Sequence, residues 1–117
     1  MLDYPNDADG DALRRIAGGG SDMSKPMRVD FQMLVPTPDH AERLVVRLRK
    51  LGYSAHVYEW QLAEWEPGRD LTCEAFVRTL ATYDVVIAIQ NELELVCEPF
   101  GGVIDGWGSF GNIDESK

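Results

Sequence analysis

The sequence predicts an α+β fold, in which two helices cover one face of an antiparallel sheet. One stretch of the chain alternates apolar and polar residues with the period of two that is typical of a half-buried strand. Two longer stretches repeat apolar residues at the i, i+3, i+4 spacing of a helix. After a short leading helix, the elements follow the order β-α-β-β-α-β, which is the split βαβ arrangement of ferredoxin-like domains.

The leading helix is predicted from Asp7, Asp9 and Asp11, because acids are favoured at a helix N-terminus. Apolar residues follow at helical spacing, and the run of glycines at positions 18–20 ends the element. The first strand covers residues 27–35. Its apolar residues, Met27, Val29, Phe31, Met33 and Val35, alternate with Arg28, Asp30 and Gln32.

The next helix is predicted to begin at Pro38, with Thr37 as its N-cap, and to end before Gly52. Its apolar stripe consists of Ala41, Leu44, Val45, Leu48 and Leu51. Alternation over residues 53–61 predicts a second strand, with His56, Tyr58 and Trp60 on one side. A third strand is expected at residues 71–77, after the turn signal Pro67-Gly68.

The last helix is predicted from Tyr83 to Cys97, capped by Thr82 and ended by Pro99 and the two following glycines. A Gly-rich final strand is expected at residues 103–110. We expect one domain over residues 1–117, with its core at about residues 6–111. The second face of the sheet is expected to stay open.

The composition is that of a folded globular protein, with 44% hydrophobic and 26% charged residues. No run of 18 apolar residues and no secretion signal is visible, so we expect a cytoplasmic protein with no membrane span. Cys73 and Cys97 are expected to be reduced, buried thiols.

The net charge of −9 argues against direct nucleic-acid binding, because phosphate contacts need a surplus of Lys and Arg. The acids concentrate in residues 59–98, where nine stand against two arginines. Basic protein surfaces are therefore the expected partners. The alternative is a solvated face that only keeps the protein soluble.

The sequence offers little for catalysis. His40 and His56 have no second histidine at the spacing of a zinc site, and neither cysteine lies in a nucleophile motif. The glycines after position 100 follow a helix instead of opening one, which argues against a phosphate-binding loop. We expect no catalytic residues, no metal and no cofactor.

Aromatic residues are the stronger signal. We expect some of the rings of His56, Tyr58, Trp60 and Trp107 to lie on the open sheet face. The acids around them favour protein contact over base stacking. Trp107 lies between two glycines, where its ring can turn inward, which we favour, or cover the sheet edge, while its indole N–H finds a partner. The alternative for each ring is a purely structural role.

Three segments of the chain resemble the RraB family of ribonuclease E regulators. The first comprises residues 10–16 and 20–31, the second residues 51–58, and the third residues 100–110. The most specific motif is Asp105-Gly106-Trp107-Gly108. The resemblance implies a ferredoxin-like fold, no catalysis, and binding to ribonuclease E that lowers its RNA cleavage.

These observations lead to three hypotheses. The first is a regulator that binds a basic protein such as ribonuclease E. The second is a small-molecule-binding or enzymatic domain on the open sheet face. The third is self-association through sheet faces or edges. The candidate protein-binding residues are Tyr58, Trp60, Glu64, Glu66, Glu92, Glu94, Asp105 and Trp107.

Overall fold

A computed structural model describes residues 4–113 and contains four strands and four α-helices in this range. The helices are α1 (Ala8–Gly18), α2 (Pro38–Lys50), α3 (Glu59–Ala63) and α4 (Tyr83–Cys97). The strands are β1 (Met27–Val35), β2 (Ser54–Val57), β3 (Leu71–Thr79) and β4 (Val103–Gly108). A 3-10 turn, Glu98–Phe100, follows α4.

The four strands form one antiparallel sheet in the order β2-β3-β1-β4, which confirms the predicted α+β fold. The strand β1 lies in the centre, and its five alternating apolar residues are fully buried, as predicted. On the neighbouring strand β3, Val29, Phe31, Met33 and Val35 lie opposite Val77, Ala75, Cys73 and Leu71, so these residues face the same core, and Met27 lies opposite Thr79. The outer strands β2 and β4 lie at opposite edges of the sheet.

Helices α2 and α4 cover the core face of the sheet. Thr37 and Thr82 cap them as predicted, because each hydroxyl accepts a hydrogen bond from a backbone N–H three residues further on. The buried stripe of α2 is Ala41, Leu44, Val45 and Leu48, whereas Leu51, predicted to belong to it, follows the helix and is exposed. Gly101 ends the 3-10 turn with φ of +70°, a backbone conformation that favours glycine.

The predicted second strand over residues 53–61 was too long. The strand ends at Val57, and α3 begins at Glu59. Leu62 and Trp65 pack against the core at helical spacing, which favours the helix. The side chain of Gln61 accepts a hydrogen bond from the backbone N–H of Thr72 at 2.7 Å. This side chain therefore takes the place of a backbone carbonyl in a longer second strand.

Helix α1 packs beside α4 and β4. The phenol of Tyr83 donates to Asp7 at 2.6 Å, and the amide of Gln90 donates to Asp9 at 3.0 Å. Both bonds join α1 to α4. Within residues 4–113, no helix has the length and apolar character needed to cross a membrane.

Candidate functional site

The open face of the sheet is organised around Glu74, which is only 9% exposed. Its carboxylate accepts hydrogen bonds from Tyr58 Oη at 3.0 Å and from Gln32 Nε2 at 3.2 Å. The guanidinium of Arg28 lies 3.4 Å away, and His56 Nε2 lies 3.6 Å away. Side chains from three strands and from the residue that precedes α3 thus meet at one carboxylate.

Arg28 also binds a second carboxylate. Its Nε donates to Asp30 at 2.7 Å, and its guanidinium carbon lies 3.6 Å from the centre of the Phe76 ring. In the described residues, every buried side-chain nitrogen and oxygen has a hydrogen-bond partner. The buried polar groups of this network therefore satisfy one another's hydrogen bonds.

The sequence pattern placed Arg28, Asp30 and Gln32 on one face of β1 but did not identify Glu74 as their centre. The cross-strand register sets Gln32 opposite Glu74 and His56 opposite Glu74 on the other side. This register depends on the pairing of whole strands, so the local sequence around Glu74 carries no direct signal for it.

Tyr58 and Trp60 lie together at the β2 edge of the sheet. Their rings are stacked, with centroids 6.4 Å apart, and the ring of His56 lies 5.2 Å from Tyr58. Burial, followed by the hydrogen bond to Glu74, raises the pKa of the Tyr58 phenol above its usual value. Trp60 is 60% exposed. It lies in α3 and not in the predicted strand.

Trp107 lies on the opposite side of the sheet, against the helices. In the β1–β4 register it lies opposite the buried Phe31, and the two ring centroids are 6.4 Å apart. The indole N–H donates to Asp9 in α1 at 2.7 Å. The ring is partly buried against the core, which confirms that it turns inward and that its N–H finds a partner.

Asp105 is the extra residue of a β-bulge in β4. The register pairs Gln32 with Gly106 and Met33 with Ile104, so Asp105 has no partner on β1. Its side chain is exposed. Asp105 therefore lies at the β4 edge of the sheet, and the Tyr58–Trp60 pair lies at the opposite edge, beside β2.

The acids of residues 59–98 divide into separate groups. Glu64 and Glu66 are exposed near the end of α3, where Glu66 lies 3.9 Å from Arg69. Glu92 and Glu94 are exposed on α4. Tyr53 donates to Glu92 at 3.2 Å, and burial, with this carboxylate beside it, raises the pKa of Tyr53 to about 12.

The eight candidate residues therefore do not form one site. Tyr58, Trp60, Glu64 and Glu66 lie at the β2 edge; Glu92 and Glu94 lie on α4; and Asp105 and Trp107 lie in β4. Neighbouring positions in the chain separate in space because β3 crosses the sheet between α3 and α4.

The two cysteines are unpaired and buried. Burial raises the pKa of the Cys73 thiol to about 12 and that of Cys97 above its usual value. Both thiols are therefore protonated near neutral pH and are poor nucleophiles. Among residues 4–113, no three His, Cys, Asp or Glu side chains are grouped so that they could hold a metal ion.

Residues 6–109 match the model of a protein family described as regulator of ribonuclease activity B, RraB. The match spans nearly all of the chain that the fold and the candidate surfaces occupy. The chain belongs to the RraB family. A search of curated proteins gave no match. RraB membership implies a non-catalytic protein that binds ribonuclease E and inhibits it.

Proposed function

We propose that this RraB-family protein inhibits ribonuclease E by binding a basic segment of the enzyme through exposed acids of residues 59–98, mainly those of α4. The protein works in the cytoplasm, makes no direct contact with nucleic acid and needs no cofactor. The charge of α4 is the observation that carries this proposal.

Helix α4 and the turn after it contain four acids and no Lys or Arg. Glu92, Glu94 and Glu98 are exposed at the C-terminal end, where the helix dipole is negative. An acid in such a position costs about 0.3–1 kcal/mol, because cations are favoured there. A basic partner would offset the repulsion between these acids and the negative end of the helix dipole. The arrangement therefore favours a role in binding over a purely structural one.

A groove of about 460 Å³ separates α4 from β4 and contributes to the same surface. Asp9, Glu94 and Glu98 line it, and no Lys or Arg is among the residues that do. Asp9 already accepts hydrogen bonds from Trp107 and Gln90, so its carboxylate is fixed in the groove wall. Glu94 and Glu98 form no ion pair within residues 4–113 and stay available to a partner's cations.

The proposal predicts an affinity that depends on charge. Binding of purified ribonuclease E should weaken as salt rises, because exposed charges are screened beyond about 8 Å at physiological ionic strength. Glu94→Lys should weaken binding by roughly tenfold, since a like charge then faces the basic segment.

Glu42→Lys is the matched control. Glu42 is an exposed acid on α2 outside the acidic segment, and its replacement changes the net charge by the same amount. Isothermal titration at two salt concentrations measures all three proteins. If Glu94→Lys and Glu42→Lys both weakened binding by the same factor, the net charge would matter but the α4 surface would not. If neither variant weakened binding, the proposal would be wrong.

A further inference from the structure

Helix α3 exposes a tryptophan that the core does not need. Leu62 in this short helix and Trp65 just after it pack against the core, whereas Trp60 points away and is 60% exposed. Exposing a large aromatic ring to water is unfavourable, and Trp is the residue most enriched at the energetic centres of protein interfaces. Its exposure makes Trp60 a candidate contact residue, and its neighbours decide what it would bind.

The ring of Trp60 has an aromatic neighbour that is itself fixed by hydrogen bonds. It stacks on Tyr58 with an angle of 27° between the ring planes. The phenol of Tyr58 is in turn fixed by Glu74, which is bonded to Gln32 on the central strand. A ring with an ordered neighbour on one side loses less side-chain entropy on binding, which favours Trp60 as an anchor.

Acidic side chains lie around the Trp60 ring. Trp60 lines a depression of about 90 Å³ together with Trp65, Glu64 and Asp70. Arg69 lies at the same depression but pairs with Glu66 at 3.9 Å. Within the part of the chain that the structure describes, Glu64 and Asp70 form no ion pair.

We propose that Trp60, Trp65, Glu64 and Asp70 form a platform that binds an arginine side chain of a protein partner. A guanidinium group is planar, so it stacks on the indole while its N–H groups donate to the carboxylates. The inference rests on the proposed function in taking ribonuclease E as the source of the arginine. It adds a second contact, at the sheet edge opposite β4.

A nucleic-acid base fits this platform less well, although bases also stack on aromatic rings. Glu64 and Asp70 line the depression, and among residues 4–113 Arg69 is the one cation that does so, already paired with Glu66. Phosphate groups would be repelled by these acids. The charge therefore selects a cationic side chain over a nucleotide.

Two measurements test the inference. In the first, the indole N–H signals of the ¹⁵N-labelled protein are followed by NMR during titration with hexa-arginine, hexalysine or hexauridylate. We expect hexa-arginine to shift the Trp60 signal most, hexalysine to shift it less and hexauridylate to leave it unchanged. An unshifted Trp60 signal with hexa-arginine, or a larger shift with hexauridylate, would overturn the inference.

The second measurement is the affinity of ribonuclease E for Trp60→Ala, Trp60→Phe and Phe110→Ala. Phe110 is a fully exposed ring outside the platform and serves as the control. Trp60→Ala should weaken binding about tenfold or more, whereas Trp60→Phe should keep part of the affinity and Phe110→Ala should not change it.

Unchanged affinity for Trp60→Ala would overturn the inference but leave the proposed function intact. Absence of binding by the wild-type protein would remove the proposed function, and the peptide titration would still decide whether the platform binds arginine.

Discussion

The two edges of the sheet each carry a tryptophan, and the two rings have opposite environments. Trp107 at the β4 edge packs on Phe31 and donates its N–H to Asp9. Trp60 at the β2 edge is stacked on Tyr58 and mainly faces water. The comparison separates a ring that holds the fold together from one that is free to contact a partner. The sequence motif around a tryptophan does not distinguish these roles; the packing does.

The largest effect is expected at Trp107. Trp107→Ala should lower the free energy of unfolding by about 2–4 kcal/mol, less than for a fully buried Trp because the ring is partly exposed. It also removes a hydrogen-bond donor from Asp9. Urea denaturation measures the change, with Trp60→Ala as the control expected to stay within about 0.5 kcal/mol of the wild type. Similar losses for both variants would contradict the division of roles.

A smaller loss is expected at the centre of the open face. Glu74→Ala should cost about 1–3 kcal/mol, because Tyr58, Gln32 and Arg28 lose their common acceptor. The same variant should loosen Tyr58 beneath Trp60 and so weaken partner binding. Glu64→Ala, at an exposed position, controls for the loss of one acid in the stability measurement. If Glu74→Ala unfolded at the same denaturant concentration as the wild type, the network would not stabilise the sheet.

The smallest effect concerns the contact between α1 and α4. The hydrogen bond from Tyr83, followed by that from the Gly10 N–H, lowers the pKa of Asp7 below its ordinary value of 3.8. Because the folded-state pKa is lowered, Asp7 contributes stability above pH 3.8, and this contribution is lost as the pH falls through the folded value. Asp7→Asn should flatten this part of the acid unfolding curve.

Tyr83→Phe tests the same contact from the other side, since it removes the main cause of the shift while leaving the carboxylate in place. Its acid unfolding curve, followed by circular dichroism, should lie between those of the wild type and Asp7→Asn. A curve identical to that of the wild type would show that the Tyr83 bond does not support the charged form of Asp7.

Much of the fold follows from local signals. The strand β1 was predicted from alternation, and α4 was predicted with the bounds that the structure has, because a threonine cap and a proline mark its ends. The end of β2 was missed because His56, Tyr58 and Trp60 continue the alternation into α3. Leu62 within α3 and Trp65 just after it pack on the core, and this packing favours the helix over a longer strand. Tertiary contacts overrode the local pattern at that point.

The candidate surfaces were less predictable. Acids that lie within forty positions of one another in the chain separate onto α3, the open sheet face and α4, since the chain crosses the sheet between them. Glu74 counted in the sequence as one acid of an exposed segment, yet it is nearly buried and bonded. Its role depends on strand register, which composition and charge do not reveal.

The most direct test of the account is an assay of RNA cleavage by purified ribonuclease E at rising concentrations of this protein. A non-catalytic inhibitor should lower the cleavage rate to a plateau, and the protein alone should leave the RNA intact. Glu94→Lys should need roughly tenfold more protein for the same inhibition, and Glu42→Lys should match the wild type more closely. A cleavage rate that does not change with protein concentration, or RNA cleaved by the protein alone, would contradict the account.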